Sequence, residues 1–147
     1  MQKKFTNQSI IMTDEHTRKV LSCYGNTIVQ TPNLDHLAKR GTVFSNAYCN
    51  VPICVPSRAS FATGQYAHTS GHWDNATPYS GKPGSWGHAL QKSGIQVGSL
   101  GKLHYRNSED AVGFDFQTLP MHVFNEVGDV LGCVREPLPR WWKASSM

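Results

Sequence analysis

The run Cys54-Val55-Pro56-Ser57-Arg58-Ala59-Ser60-Phe61-Ala62-Thr63-Gly64 puts a thiol two residues ahead of a proline and four ahead of an arginine. Proline suits the first turn of a helix, so Pro56 predicts a helix here and leaves residue 54 at its mouth. Backbone N–H groups and the positive end of the dipole at that mouth favour an anion. Arg58, one turn on, carries a guanidinium fork that matches a tetrahedral oxyanion. Only Val55, Pro56 and Ser57 separate Cys54 from Arg58. That spacer is too short to wrap a phosphate as a cysteine-dependent phosphatase loop does, which excludes that chemistry.

Two further clusters carry titratable groups. Asp14-Glu15 follows the apolar run Ile10-Ile11-Met12, and Gly101-Lys102-Leu103-His104 follows another apolar stretch. In open parallel sheets ligands collect beyond the carboxyl ends of the strands, so three clusters that each follow a strand or lead into a helix converge on one site. Each cluster also has a plainer reading. Acidic residues after a strand often cap helices or line loops, Lys102 and His104 fit a surface loop, and a lone cysteine is often a small buried side chain. Zinc on Cys49, Cys54, His68 and His72 is the weaker alternative, because Pro52 and Pro56 interrupt the run that would have to fold around the ion.

The elements that must position these groups alternate between strands and helices. Residues 8–13 read as a short buried strand and 43–47 as a second one. A helix is predicted over 31–41, with Thr31 as cap, Pro32 in its first turn, and Leu34, Leu37 and Ala38 on one face. Lys39 and Arg40 suit its negative end, and Gly41 a left-handed exit. A helix over 57–63 closes at Gly64, the stretch 64–84 reads as loop, a helix over 85–93 stops at Gly94, and 95–100 reads as a strand. Beyond Tyr105 the signals fade, and 137–147 reads as an irregular tail. The alternation predicts an α/β fold around a mainly parallel sheet.

A chain of 147 residues fits one domain with a real core, and 39% hydrophobic against 16% charged residues is an ordinary globular balance. The net charge of +4 comes from scattered basic residues, which fits an anionic small substrate and argues against nucleic acid. No apolar run reaches the length of a membrane span, and Ile10-Ile11-Met12 is too short for a signal peptide. The expectation is a cytoplasmic protein without a membrane partner, its four cysteines reduced.

The ordered run C-V-P-S-R-A-S-F-A-T-G resembles the signature of the sulfatase family, a Cys-x-Pro-x-Arg core followed by a small-residue helix and Thr-Gly. TPNLDHLAKRGTVFSNAY is similar to the family's segment just ahead of the signature, IIMTDEH to its metal-binding opening and GKLH to its Gly-Lys-x-His segment. DNATPY resembles the choline-sulfatase branch. The resemblance implies an alkaline phosphatase-like α/β fold, with residues 1–147 as the N-terminal part of a catalytic domain. It implies hydrolysis of a small-molecule sulfate ester through formylglycine, made from Cys54 by a maturation enzyme that reads Pro56 and Arg58. Hydrated to a geminal diol, residue 54 attacks sulfur with one oxygen, and the other then expels sulfate.

Carried over by position, Asp14 and residue 54 would bind Ca²⁺ or Mg²⁺, with Glu15 in doubt because many family members have aspartate there. Arg58 would hold the formylglycine oxygens, Lys102 would contact the sulfate or leaving oxygen, and His104 would bond the diol or move its proton. Asn75 would contact the sulfate, and Trp73 and Tyr79 would either shape the pocket or, as aromatics in such loops more often do, simply pack. The family's later metal ligands and second histidine have no counterpart after His104, so a truncated or incomplete form is expected. A phosphonate monoester or phosphodiester hydrolase of the same superfamily, and a non-catalytic remnant, are the alternative readings.

Overall fold

The computed structural model describes residues 7–124 and 129–130, so the predicted tail over 137–147 lies outside the described residues. The chain forms two compact units, Met1–Ala47 and Tyr48–Met147.

The first unit is built on two 3-10 turns, Arg18–Val20 and Ser22–Tyr24, and helix α1, Pro32–Arg40. Pro32 opens α1 as expected, but the Thr31 hydroxyl does not cap a backbone N–H of the helix. It accepts from the Ser22 N–H at 3.0 Å and lies 3.3 Å from the Asp35 carboxylate. The Asn26 side chain organises the intervening loop, accepting from the N–H groups of Ile28 and Val29. Gly41 leaves α1 in an extended conformation, φ −120° and ψ −160°, not in the left-handed exit expected from its type. The strands expected over 8–13 and 43–47 do not form among the described residues. A strand needs a neighbour for its backbone groups, and here Ile11 stays 86% exposed. None of the described side chains of this unit is buried.

The second unit holds the core. Helix α2 spans Cys54–Thr63, three residues longer at its start than the sequence predicts, and Gly64 ends it at φ 69° with its N–H on the Ser60 carbonyl. Only glycine takes that left-handed geometry without a Cβ penalty. Its buried face is Val55, Pro56, Ala59, Ser60 and Ala62, small side chains that let other segments approach closely. Ala59, Ala62, Tyr79, Tyr105 and Val112 make one buried cluster, with Leu103 and Phe114 packed against it. The rings of Tyr79 and Tyr105 meet edge to face at 5.0 Å, a preferred aromatic geometry.

The 64–84 stretch holds one short helix, α3, Ala67–Ser70, and otherwise runs as turns. Helix α4, Trp86–Lys92, begins with a capping box of Ser85 and His88. His88 Nε2 donates to the Ala111 carbonyl, so Nδ1 is the acceptor for the Ser85 N–H. The Ser85 hydroxyl donates to the Val112 carbonyl at 2.8 Å. A Cβ on Gly87 would stand 2.3 Å from the Gly113 carbonyl oxygen, which is why α4 can lie against this segment.

Strand β1 runs Gly98–Lys102, later than the predicted 95–100. It pairs in parallel with β2, Phe116–Met121, an element the sequence reading missed. Residues 95–97 are otherwise engaged: the Ile95 N–H closes α4 on the Leu90 carbonyl, and the Val97 N–H bonds the Asp115 carboxylate at 2.6 Å. Leu100 pairs with Thr118 and Lys102 with Met121, so β2 carries one extra residue between the two pairs. Leu119 takes φ 49° there, and Pro120 beside it has no N–H to donate, as suits a bulge. A second pair, β3 (Val123–Phe124) with β4 (Asp129–Val130), is antiparallel.

Candidate active site

The N-terminus of α2 and the C-terminal end of β1 meet in the second unit. Cys54 is the first residue of α2, half-buried. Lys102, the last residue of β1, brings its Nζ to 3.9 Å from the Cys54 Sγ across 48 residues of sequence. The bulge in β2 falls immediately before this lysine's register position, a place where irregular pairing re-aims a side chain. Arg58 Nη1 donates to the Lys102 carbonyl, tying the second turn of α2 to the same strand end.

Four N–H groups at a helix start have no partner within the helix. In α2 the Ile53 N–H goes to the Val51 carbonyl, the Val55 N–H goes to Asn75 Oδ1 at 3.1 Å, and Pro56 has none. The fourth belongs to Cys54. The backbone cradle expected from sequence is thus largely engaged, and positive side chains rather than a row of amides line this end of α2.

Asn75 reaches α2 from a turn that is held from within. Asp74 Oδ1 accepts from the Ala76 N–H at 2.9 Å and from the Thr77 hydroxyl at 3.2 Å, and the Thr77 hydroxyl accepts from the Trp73 N–H. His72 Nδ1 donates to the Thr77 carbonyl at 2.7 Å. Trp73 on this turn is exposed, whereas Tyr79 is wholly buried in the core, its hydroxyl on the Pro83 carbonyl. Tyr79 therefore packs, and does not shape a pocket.

His104 lies two residues past Lys102, its side chain buried and its backbone at φ 58°. Its N–H donates to the Met121 carbonyl at 2.7 Å, carrying the β1–β2 pairing one step further. Tyr105 beside it is buried, and burial pushes its hydroxyl well above the usual phenol range; Tyr79 adds to the shift and Arg58 opposes it. Two contacts were not anticipated. Cys49 Sγ lies 3.3 Å from the Ser57 hydroxyl, and Asp74 is the organiser of the Asn75 turn. The Asp-x-x-Thr spacing of an Asx-type turn was the signal for the second.

Asp14 lies in the first unit, in the exposed bend Asp14–Glu15, with Glu15 at φ 51°. Its carboxylate is the hard oxygen donor that Ca²⁺ or Mg²⁺ favours, while the thiol of Cys54 is a soft one. Among the described residues no cluster of three or more His, Cys, Asp or Glu side chains is set to hold a metal. Ca²⁺ takes about six to eight oxygens, so the residues present fit part of such a shell and not the whole.

Residues 7–127 match the protein-family profile described as Sulfatase. The chain is 38% identical over 112 residues to an N-acetylglucosamine-6-O-sulfatase of Bacteroides thetaiotaomicron, covering 76% of this chain and 20% of that protein. It is 34% identical over 109 residues to a choline-sulfatase of Rhizobium meliloti, covering 74% of this chain and 21% of that one. A solved structure of a protein in complex with its substrate D-glucosamine-2-N,6-O-disulfate superposes with a TM-score of 0.68 at 38% identity, over 74% of this chain and 22% of the other. The chain spans about a fifth of the length of the curated relatives it matches.

Proposed function

Because the chain belongs to the sulfatase family, with its alkaline phosphatase-like α/β fold, we propose that it is the signature-bearing portion of a sulfuric ester hydrolase whose nucleophile is made from Cys54. The observation that carries this reading is the Lys102 ammonium 3.9 Å from the Cys54 sulfur, with Arg58 bonded to the same strand end. Such a pairing puts fixed positive charge where a sulfate ester develops negative charge as its alcohol leaves.

Oxidation of Cys54 by a maturation enzyme would give the formylglycine aldehyde, and addition of water a geminal diol, one hydroxyl to attack sulfur as the alcohol leaves and the other to lose its proton, re-form the aldehyde and expel sulfate. Carried over from the family by position, Asp14 in the first unit and, independently, the converted residue 54 in the second would each offer an oxygen to a divalent cation, Ca²⁺ or Mg²⁺, which would supply Lewis-acid charge. Lys102 orients the sulfate and steadies the leaving oxygen. Arg58 fixes the Lys102 backbone and contributes charge beside residue 54. His104, buried next to them in sequence, holds a proton for the diol. The Asn75 amide, on its internally bonded turn, offers N–H donors to the sulfate oxygens. The substrate is a small-molecule sulfate ester, and the names of the relatives make amino-sugar sulfates and choline sulfate the first to try.

The test begins with mass spectrometry of the peptide bearing residue 54, on protein made together with a formylglycine-generating enzyme. The expected result is the aldehyde at residue 54, followed by turnover of sulfate esters faster than of phosphonate monoesters or phosphodiesters. An unconverted Cys54 would overturn the reading in favour of a non-catalytic remnant. An aldehyde that turns over phosphonate esters preferentially would replace the substrate class.

A further inference from the structure

The hydrogen bond from the Val55 N–H to Asn75 Oδ1 has a consequence beyond substrate contact. Ile53, the residue before α2, has an aliphatic side chain that accepts nothing, so the signature helix cannot cap itself. Its cap comes instead from a residue 20 positions downstream, on a turn that Asp74, Thr77 and His72 hold in shape. The capped amide is that of the residue directly after Cys54. An amide side chain has two chemically distinct ends, and its oxygen is committed to Val55, which leaves the amino end as the one that can face an anion.

We infer that Asn75 is a positioning residue for position 54: its carboxamide oxygen locks the first turn of α2 and so fixes where residue 54 sits relative to the Lys102 ammonium. This rests on the reading of residue 54 as the reacting residue, and it assigns Asn75 a task separate from binding sulfate. The two tasks separate by substitution. Asn75→Asp keeps an acceptor oxygen for the Val55 N–H and loses the amino donors; Asn75→Ala loses both.

The experiment uses the chain with its thiol unconverted and reads two local quantities, amide hydrogen exchange at Val55 and the iodoacetamide alkylation rate of Cys54 by peptide mapping. In Asn75→Ala the Val55 amide exchanges about fivefold faster and Cys54 alkylation changes by a similar factor, as loss of a helix cap dictates. Asn75→Asp restores both to within about twofold, since its oxygen still accepts. Cys23, in the other unit, keeps its rate in both variants and reports any general loosening. Unchanged values in Asn75→Ala, an Asn75→Asp variant as fast as Asn75→Ala, or a parallel rise at Cys23 would each overturn the assignment. Failure of the sulfatase reading shows elsewhere, as a missing aldehyde or missing ester turnover, and leaves these two measurements unmoved.

Discussion

Lys102 carries the sharpest residue-scale test. Its ammonium approaches the Cys54 sulfur from the end of β1, where the chain is half-buried and water competes less than at an open surface. Replacement by alanine removes that charge while leaving the Lys102 carbonyl, and so the Arg58 bond, in place. In the aldehyde-bearing enzyme Lys102→Ala should lower kcat on sulfate esters about 10²-fold or more, with the urea midpoint little changed. Steady-state kinetics beside an unfolding curve check it, and a kcat within about twofold of the parent would remove Lys102 from the chemistry. Cys54, Arg58, Lys102 and Asn75 were all legible in the sequence as candidates, the first two through the signature, Lys102 through the Gly-Lys-x-His segment and Asn75 through DNATPY. The acceptor role of Asn75 was not. A cap supplied from 20 residues away leaves no local pattern, and only the folded chain joins Asn75 to Val55.

At the scale of elements, local chemistry decided what could be read. Pro56 and Gly64 announced α2, and Ser85 and Gly94 bracketed α4 closely, because caps and left-handed glycines act within a turn of where they stand. β1 was displaced because Ile95 and Val97 look like strand residues but are claimed by the end of α4 and by Asp115. β2 was missed because Pro120 and the bulge break its alternation, and its register is set by β1, not by its own pattern. Ser85 shows how much one capping residue can hold. Its hydroxyl accepts from the His88 N–H and donates to the buried Val112 carbonyl, linking α4 to the 111–114 segment that lines the core. Ser85→Ala should therefore destabilise the fold by about 1–3 kcal/mol, a lost cap plus a buried carbonyl left without its donor. Ser93→Ala, which removes an exposed bond to the Ala89 carbonyl, should cost about 0.5 kcal/mol or less. Denaturant midpoints of the two variants measure the contrast, and equal losses would mean the Val112 bond contributes nothing.

For the whole molecule, stability and its pH dependence rest on the second unit, where the buried cluster lies and where buried histidines are found. His122 follows β2, is 4% exposed, and pairs Nε2 with the Gln117 side-chain oxygen at 2.9 Å. Burial holds its imidazole below the ordinary value of 6.5, and the Tyr105 backbone and the Asp110 carboxylate only partly oppose that. The unfolded chain therefore takes up the proton first as the pH falls. The stability linked to His122 is fully present above about pH 6.5 and is lost as the pH drops from there through the lowered folded value. The slope cannot exceed about 1.4 kcal/mol per pH unit for one proton. Asp110 is itself held by Arg106 in a two-bonded ion pair. Urea unfolding from pH 8 down to pH 5 should show the loss, and His122→Asn should flatten the part of the curve near neutrality while lowering stability at pH 8. A parent curve flat between pH 7 and 5, or one that His122→Asn leaves unaltered in shape, would mean that His122 meets its proton in the folded chain as readily as in the unfolded one, and that its burial carries no electrostatic cost.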